Sequence, residues 1–270
     1  MALGAIAAET EAQMQQNPHE TLVGAQFGSR AGAYLTSAVH AQGADLEALA
    51  ALVHGRPAAH VLDLGCGAGH VSFAVAPHVR SVVACDLSPE MLDVVARAAA
   101  SRGFGNLATK QGVAERLPFA DGEFDGVLSR YSAHHWRDFD AGLRETARVL
   151  RPGGIAGIVD TVSLGSALLD TWLQAVELLR DPSHVRSRSR AEWEDAIVRA
   201  GLLPGTVRPF RIRLDFAVWI ERMRTPPVRA DAIRALQALA SDSVTRHFAV
   251  ERDGSFSIDV ALFEAAKPAP

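Results

Sequence analysis

Residues 60–69 read His60-Val61-Leu62-Asp63-Leu64-Gly65-Cys66-Gly67-Ala68-Gly69. A short apolar run closes on three alternating glycines, and a helical-looking stretch, His70 to Ala76, follows. That order predicts a strand, a tight turn and a helix. Glycine permits the backbone of such a turn and lets a ligand approach main-chain groups. In an open α/β sheet this first turn lies at the carboxyl end of the strands, where ligands bind. The spacing narrows the choice of ligand. A dinucleotide fingerprint needs a small residue where His70 stands, so a nicotinamide dehydrogenase is disfavoured. A P-loop needs a Gly-Lys pair, which is absent here.

Working outward, a second strand runs from Ser81 to Cys85 and is closed by Asp86. A carboxylate at that point can accept hydrogen bonds from both hydroxyls of a ribose. It can equally serve as an acid ahead of the helix that Ser88-Pro89-Glu90 starts. Further strands are predicted over 107–111, 124–130, 155–161, 206–214 and 255–264. Helices are predicted over 45–54, 88–101, 139–150, 166–180 and 190–200, with a helical insertion over 216–248. Strands alternating with helices imply a parallel sheet with crossovers.

The chain has 270 residues and is 48% hydrophobic, enough for one large α/β domain with a substantial core. Its net charge of −4 lacks the basic signature of a duplex binder, and no DNA partner is expected. The two cysteines, Cys66 and Cys85, form neither a CxxC nor a Cys/His spacing. No disulfide scaffold or metal site is expected, and the chain fits a reducing, cytoplasmic setting. Met1 to Thr10 has no basic n-region, and no apolar run reaches membrane-spanning length.

Taken together, the motifs resemble those of class I S-adenosyl-L-methionine (SAM)-dependent methyltransferases, particularly the UbiE-like small-molecule group. Residues 61–69 are similar to that group's first motif, and VVACDLSPEML (82–92) to its second. GVAERLPFADGEFDGVLSRYSAHHW (112–136) resembles the third and fourth, and LRETARVLRPGG (143–154) the fifth. Residues 26–46, 223–226 and 253–259 further resemble the YafE-type branch.

The resemblance implies an α/β, Rossmann-like, seven-stranded and mostly parallel sheet with helices on both faces and a helical cap. The implied plan is a lid over 1–50, a cofactor-binding core over 51–163, a cap with one sheet strand over 164–250, and a final strand over 251–270. SAM is the implied cofactor, S-adenosylhomocysteine the product, and a small molecule the methyl acceptor, for which the UbiE likeness suggests an aromatic or quinone-like compound. Asp63, Gly65, Gly67 and Gly69 are implied around the methionine end of SAM, with Asp86 on the ribose. Leu87 and Met91 would flank adenine, Ala114 and Glu115 would lie at its edge, and Ser129 would face the cofactor. Tyr34 would close over the sulfonium through its ring. One residue departs from the pattern. The family often has aspartate before Ala-Glu, and this chain has Val113.

Methyl transfer needs a base only when the acceptor loses a proton. His134 and His135 follow the fourth predicted strand, and histidine titrates in the useful range. Shaping the loop is an equally good reading of the pair. Arg130 could hold an acidic substrate or pair with a local carboxylate. Arg186, Arg188 and Arg190 read as a solvated loop, and Trp172, Trp193, Trp219 and Met223 mostly as core. A SAM-binding protein without methyl transfer, or an RNA methyltransferase, remain alternatives, although no Asn-Pro-Pro-Tyr motif or basic domain supports the second. The oligomeric state, monomer or homodimer, stays open.

Overall fold

The computed structural model describes residues 18–28 and 43–269, so Tyr34 lies outside the described residues. Five strands run parallel: β1 (His60–Leu64), β2 (Ser81–Asp86), β3 (Leu107–Gln111), β4 (Phe124–Arg130) and β5 (Leu150–Ser163). Two long strands, β7 (Leu203–Leu214) and β8 (Phe256–Ala266), join antiparallel, giving the order β3-β2-β1-β4-β5-β8-β7. The expected seven strands are therefore present. A two-residue strand, β6 (Arg188–Ser189), pairs with β5 away from this path, so the 164–250 region carries two strands rather than one. Such a short strand leaves no periodic trace in the sequence.

The helices are α1 (Pro18–Gly28), α2 (Ala44–Ala51), α3 (His70–Val75), α4 (Pro89–Ser101), α5 (Phe139–Val149), α6 (Ala167–Arg180), α7 (Arg190–Arg199), α8 (Phe216–Arg222), α9 (Pro227–Ala238) and α10 (Asp242–Phe248). Strand alternation splits the apolar residues between two faces. On β8, Phe256, Ile258, Val260 and Leu262 join one core with residues of α2, α3, α6 and α8–α10. Ala261, Phe263 and Ala265 join the other core, with α5 and α7. Trp193 belongs to that second core, stacked on Phe263 at 4.7 Å and edge-on to Phe139 at 4.6 Å. Leu46 and Leu49 of α2 are buried in the first core, so within the lid expected over 1–50 this helix is a sheet-flanking element. No helix among the described residues is long and apolar enough to cross a membrane.

The order reverses at β1, which has β2 on one side and β4 on the other. This is the switch point where open α/β sheets form their crevice. Gly69 does not open into that crevice, contrary to the expectation of a ligand contact. Its φ is +84°, and a Cβ there would come within 3.0–3.1 Å of Val95 and Phe73. Its small size serves the approach of α3 to α4. Gly69→Ala is expected to destabilise the fold by about 1–2 kcal/mol through backbone strain alone, measured as a lower urea midpoint.

Candidate active site

The glycine turn is tied to the end of β2. The Gly65 and Cys66 amides both donate to the Cys85 carbonyl, at 2.8 and 2.9 Å. Gly65 has φ +66°, and a Cβ there would collide with the Ser132 hydroxyl at 1.9 Å. Only glycine lets the turn come this close to the segment leaving β4. Asp86 bridges the turn and the next helix. Its Oδ2 accepts from the Gly67 amide and its Oδ1 from the Ser88 amide, each at 2.9 Å. The Ser88 hydroxyl in turn accepts from Met91 N at 3.2 Å and caps α4. Burial pushes the Asp86 carboxyl up, against the pull of these amide donors.

Asp63 on β1 is 1% exposed. Its Oδ2 accepts from the Ser72 amide at 2.9 Å and hydroxyl at 2.6 Å, whereas its buried Oδ1 has no partner. Burial lifts its pKa to about 7 despite the Ser72 bonds. A buried carboxylate oxygen left bare is costly unless a ligand donor meets it.

These groups open into a cleft of about 1180 Å³, its mouth included. Of the residues picked out in the sequence, Asp63, Gly65, Gly67, Asp86, Leu87, Met91, Ala114, Glu115 and His135 line it. Ser129 does not. Its hydroxyl donates to the Leu64 carbonyl at 2.7 Å and the residue is fully buried, so it staples β4 to β1 instead of facing a cofactor. Helix α1 walls one side through His19, Glu20, Val23 and Phe27. His19 Nε2 lies 2.9 Å from the His135 carbonyl, and Phe27 meets the His135 ring edge-on at 5.1 Å.

A second chamber of about 720 Å³ adjoins the first, sharing Phe27, Tyr131 and His135 in its lining. His134 lines only this second chamber. Its Nδ1 lies 2.6 Å from Asp160 Oδ1, and its amide donates to Asp160 Oδ2 at 3.0 Å. Thr161 N adds a third donor to this carboxylate at 2.7 Å. Burial alone lowers the His134 pKa, but the Asp160 charge overcomes it and holds the imidazole above its ordinary value. His135 differs. Its Nδ1 lies 3.1 Å from the Ser183 carbonyl, and burial beside His134 lowers it to about 4. The two neighbouring histidines are thus electrostatically distinct, a difference invisible in the sequence.

Arg130 pairs with a local carboxylate, Asp45 of α2, at 2.7 Å, and the Tyr131 hydroxyl donates to the same Asp45 oxygen at 3.0 Å. Tyr131 itself holds φ +53°, an uncommon conformation for a non-glycine residue, at the junction of the two chambers. Arg186 pairs with Asp170 and Glu192, Arg190 with Glu194, and Arg188 covers the Phe139 ring at 3.8 Å. Trp219 and Met223 are buried and also line the second chamber, whereas Trp172 and Trp193 are core alone. Sequence reasoning missed Asp160, Asp181, His184 and Ser187 in that chamber's surroundings. For Asp160 a signal existed: an acid directly after Ile158-Val159 in an apolar strand.

The comparisons agree with this geometry. A methyltransferase-domain family model matches residues 62–158. The uncharacterized protein YafE of Escherichia coli (strain K12) is 48% identical over 205 residues, covering 76% of this chain and 99% of YafE. YcgJ, an uncharacterized methyltransferase of Bacillus subtilis (strain 168), is 34% identical over 246 residues, covering 89% of this chain and 97% of its own. The crystal structure of YcgJ superposes with a TM-score of 0.80 at 32% identity, covering 84% of this chain and 99% of YcgJ. The demethylmenaquinone methyltransferase of Beutenbergia cavernae is 39% identical over 151 residues, 53% of this chain and 58% of that enzyme. With ordered motifs, a shared sheet and relatives aligned over nearly their full length, the chain belongs to the class I SAM-dependent methyltransferases, in the UbiE-like group.

Proposed function

We propose that the protein transfers a methyl group from SAM to a small-molecule acceptor held in the second chamber. The observation that carries this reading is the pair of carboxylates lining the cleft near the ends of β1 and β2, the half-buried Asp86 and the buried Asp63 with one oxygen bare. SAM brings complementary groups: an ammonium, a sulfonium and a ribose diol. Asp63 Oδ1 suits the ammonium, and Asp86 the ribose hydroxyls. Leu87 and Met91 suit the adenine faces, with Ala114 and Glu115 at its edge. When bound, SAM supplies a methyl carbon open to in-line displacement.

The chain's own residues do the rest. His134 Nε2 takes the proton that an acceptor hydroxyl gives up, while Asp160 fixes the ring by accepting from Nδ1–H. Helix α1 covers the cleft and helps keep water out. Residues 164–250, through α6, α8 and the β6 approach, supply the cap over the acceptor. The two cysteines, free and buried, suit a cytoplasmic setting.

The test is calorimetric titration with SAM and S-adenosylhomocysteine across pH. Burial lifts the Asp63 pKa to about 7, and only its ionised form attracts the ammonium. Affinity should therefore fall as pH drops below about 7, by up to about tenfold per unit for one linked proton. Asp63→Asn should flatten that profile. An absence of SAM binding by the folded protein rejects the reading. Binding without turnover to S-adenosylhomocysteine against a broad panel of acceptors favours a protein that only carries the cofactor.

A further inference from the structure

The second chamber has a polar wall that the proton transfer above uses only in part. Gln174 on α6 organises it. The Gln174 carbonyl oxygen accepts from the Ser187 amide at 3.0 Å, and its amide nitrogen donates to the Ser187 carbonyl at 2.6 Å and to Asp170 at 2.8 Å. These bonds fix which end of the Gln174 side chain is oxygen. His184 Nε2 sits 2.9 Å from that same oxygen, so Nε2 carries the hydrogen. Nδ1 of His184 is then a bare lone pair, with no hydrogen bond among the described residues. Burial lowers this imidazole to about 3, which keeps it neutral and accepting.

His134 offers a second acceptor when its ring is neutral, the form that takes a proton from the methyl acceptor: its Nδ1–H is committed to Asp160, leaving Nε2 as an acceptor. The His134 and His184 rings lie 5.6 Å apart between centroids, and both line the chamber. Beside them, Ser187 Oγ is fully buried, lines the chamber and has no partner. Two neighbouring acceptors and an unsatisfied hydroxyl form a built site for a ligand that brings donors close together. Charged groups (Glu177, Arg180, Asp181 and Arg222) also line the chamber, and Leu214, Trp219, Met223 and Ile258 supply the apolar surface that a flat ring would pack against.

Resting on the reading of this chamber as the acceptor site, we infer that the acceptor is an aromatic ring carrying two adjacent hydroxyls. One hydroxyl donates to His134 Nε2, the second to His184 Nδ1, and Ser187 Oγ–H donates to the second hydroxyl's oxygen. Gln174 is the positioning residue that sets the His184 tautomer.

The probes are catechol, phenol and cis-cyclohexane-1,2-diol, titrated by ligand-observed NMR with and without S-adenosylhomocysteine. Wild type should bind catechol about tenfold more tightly than phenol, roughly one neutral hydrogen bond's effect, and more tightly than the saturated diol. His184→Phe keeps a ring beside His134 and should bring the catechol-to-phenol ratio close to one. Ser187→Ala, the milder change, should lower the ratio in the same direction. Equal binding of phenol and catechol, absence of catechol binding, or a ratio unmoved in both folded variants overturns the inference. Tighter binding of the saturated diol overturns the aromatic class. SAM binding without a catechol preference would reject this inference alone, whereas a catechol preference without SAM binding would reject methyl transfer alone.

Discussion

Asp160→Asn is expected to lower the turnover of a hydroxyl acceptor by about 10²–10⁴-fold, the range of a lost general base. Both oxygens of Asp160 accept hydrogen bonds, Oδ2 from the His134 amide and Oδ1 from Thr161 N and the His134 ring. An asparagine must place its NH₂ against one of these donors, whichever way the amide is turned. The ring then loses its fixed tautomer or its position. A second readout needs no acceptor. With the Asp160 charge gone, burial outweighs the more weakly acting Glu177 and Asp181, so the NMR titration of His134 should move from above the ordinary imidazole value to below it. Asp160 does not line the cofactor cleft, so SAM affinity should persist. If His134 titrates unchanged in a folded Asp160→Asn protein, the dyad has no part in the chemistry.

Asp86→Ala is expected to weaken SAM binding by about 10²–10⁴-fold, the equivalent of two hydrogen bonds to a charged group. The carboxylate has two duties, receiving ribose hydroxyls and holding the Gly67 and Ser88 amides. Removing it leaves those amides unpaired and loosens the turn that carries Gly65 and Gly67. Asp86→Asn separates the duties, since it keeps the size and one acceptor. A SAM affinity in the alanine variant equal to wild type, measured by calorimetry, would move the cofactor away from this strand end.

How much of this was legible beforehand depends on distance along the chain. The glycine turn, Asp86 and the helix start at Ser88 are local patterns, and all three stand where the spacing put them. The histidine pair was found as a motif, but its division of labour was not. That division comes from Asp160, Ser183 and Asp181, which reach the pair only through the folding of β5 and the segment after α6. Asp45 likewise meets Arg130 across most of the cofactor half. Ser129, implied by the resemblance to face the cofactor, turns elsewhere. On β4 its side chain turns to the neighbouring strand's backbone, and nothing in a single strand's composition announces that. Gly69 sits in a motif whose other glycines face the cleft, yet its own smallness answers to Val95 and Phe73.

The outer border of the sheet, β7, carries a consequence for how molecules of this chain meet one another. A long strand with one unpaired side is a template for strand addition from a second molecule. Here that border holds Pro204 and Pro209, each lacking the amide hydrogen a new partner would need. Arg208, Arg211 and Arg213 are spread along it, and each is engaged by an acid of its own chain: Glu264, Asp259 and Glu251. An incoming strand would meet missing donors and a row of guanidinium groups already spoken for. The fold thus closes its most exposed margin with proline and arginine, leaving recognition to the crevice at the opposite ends of the strands.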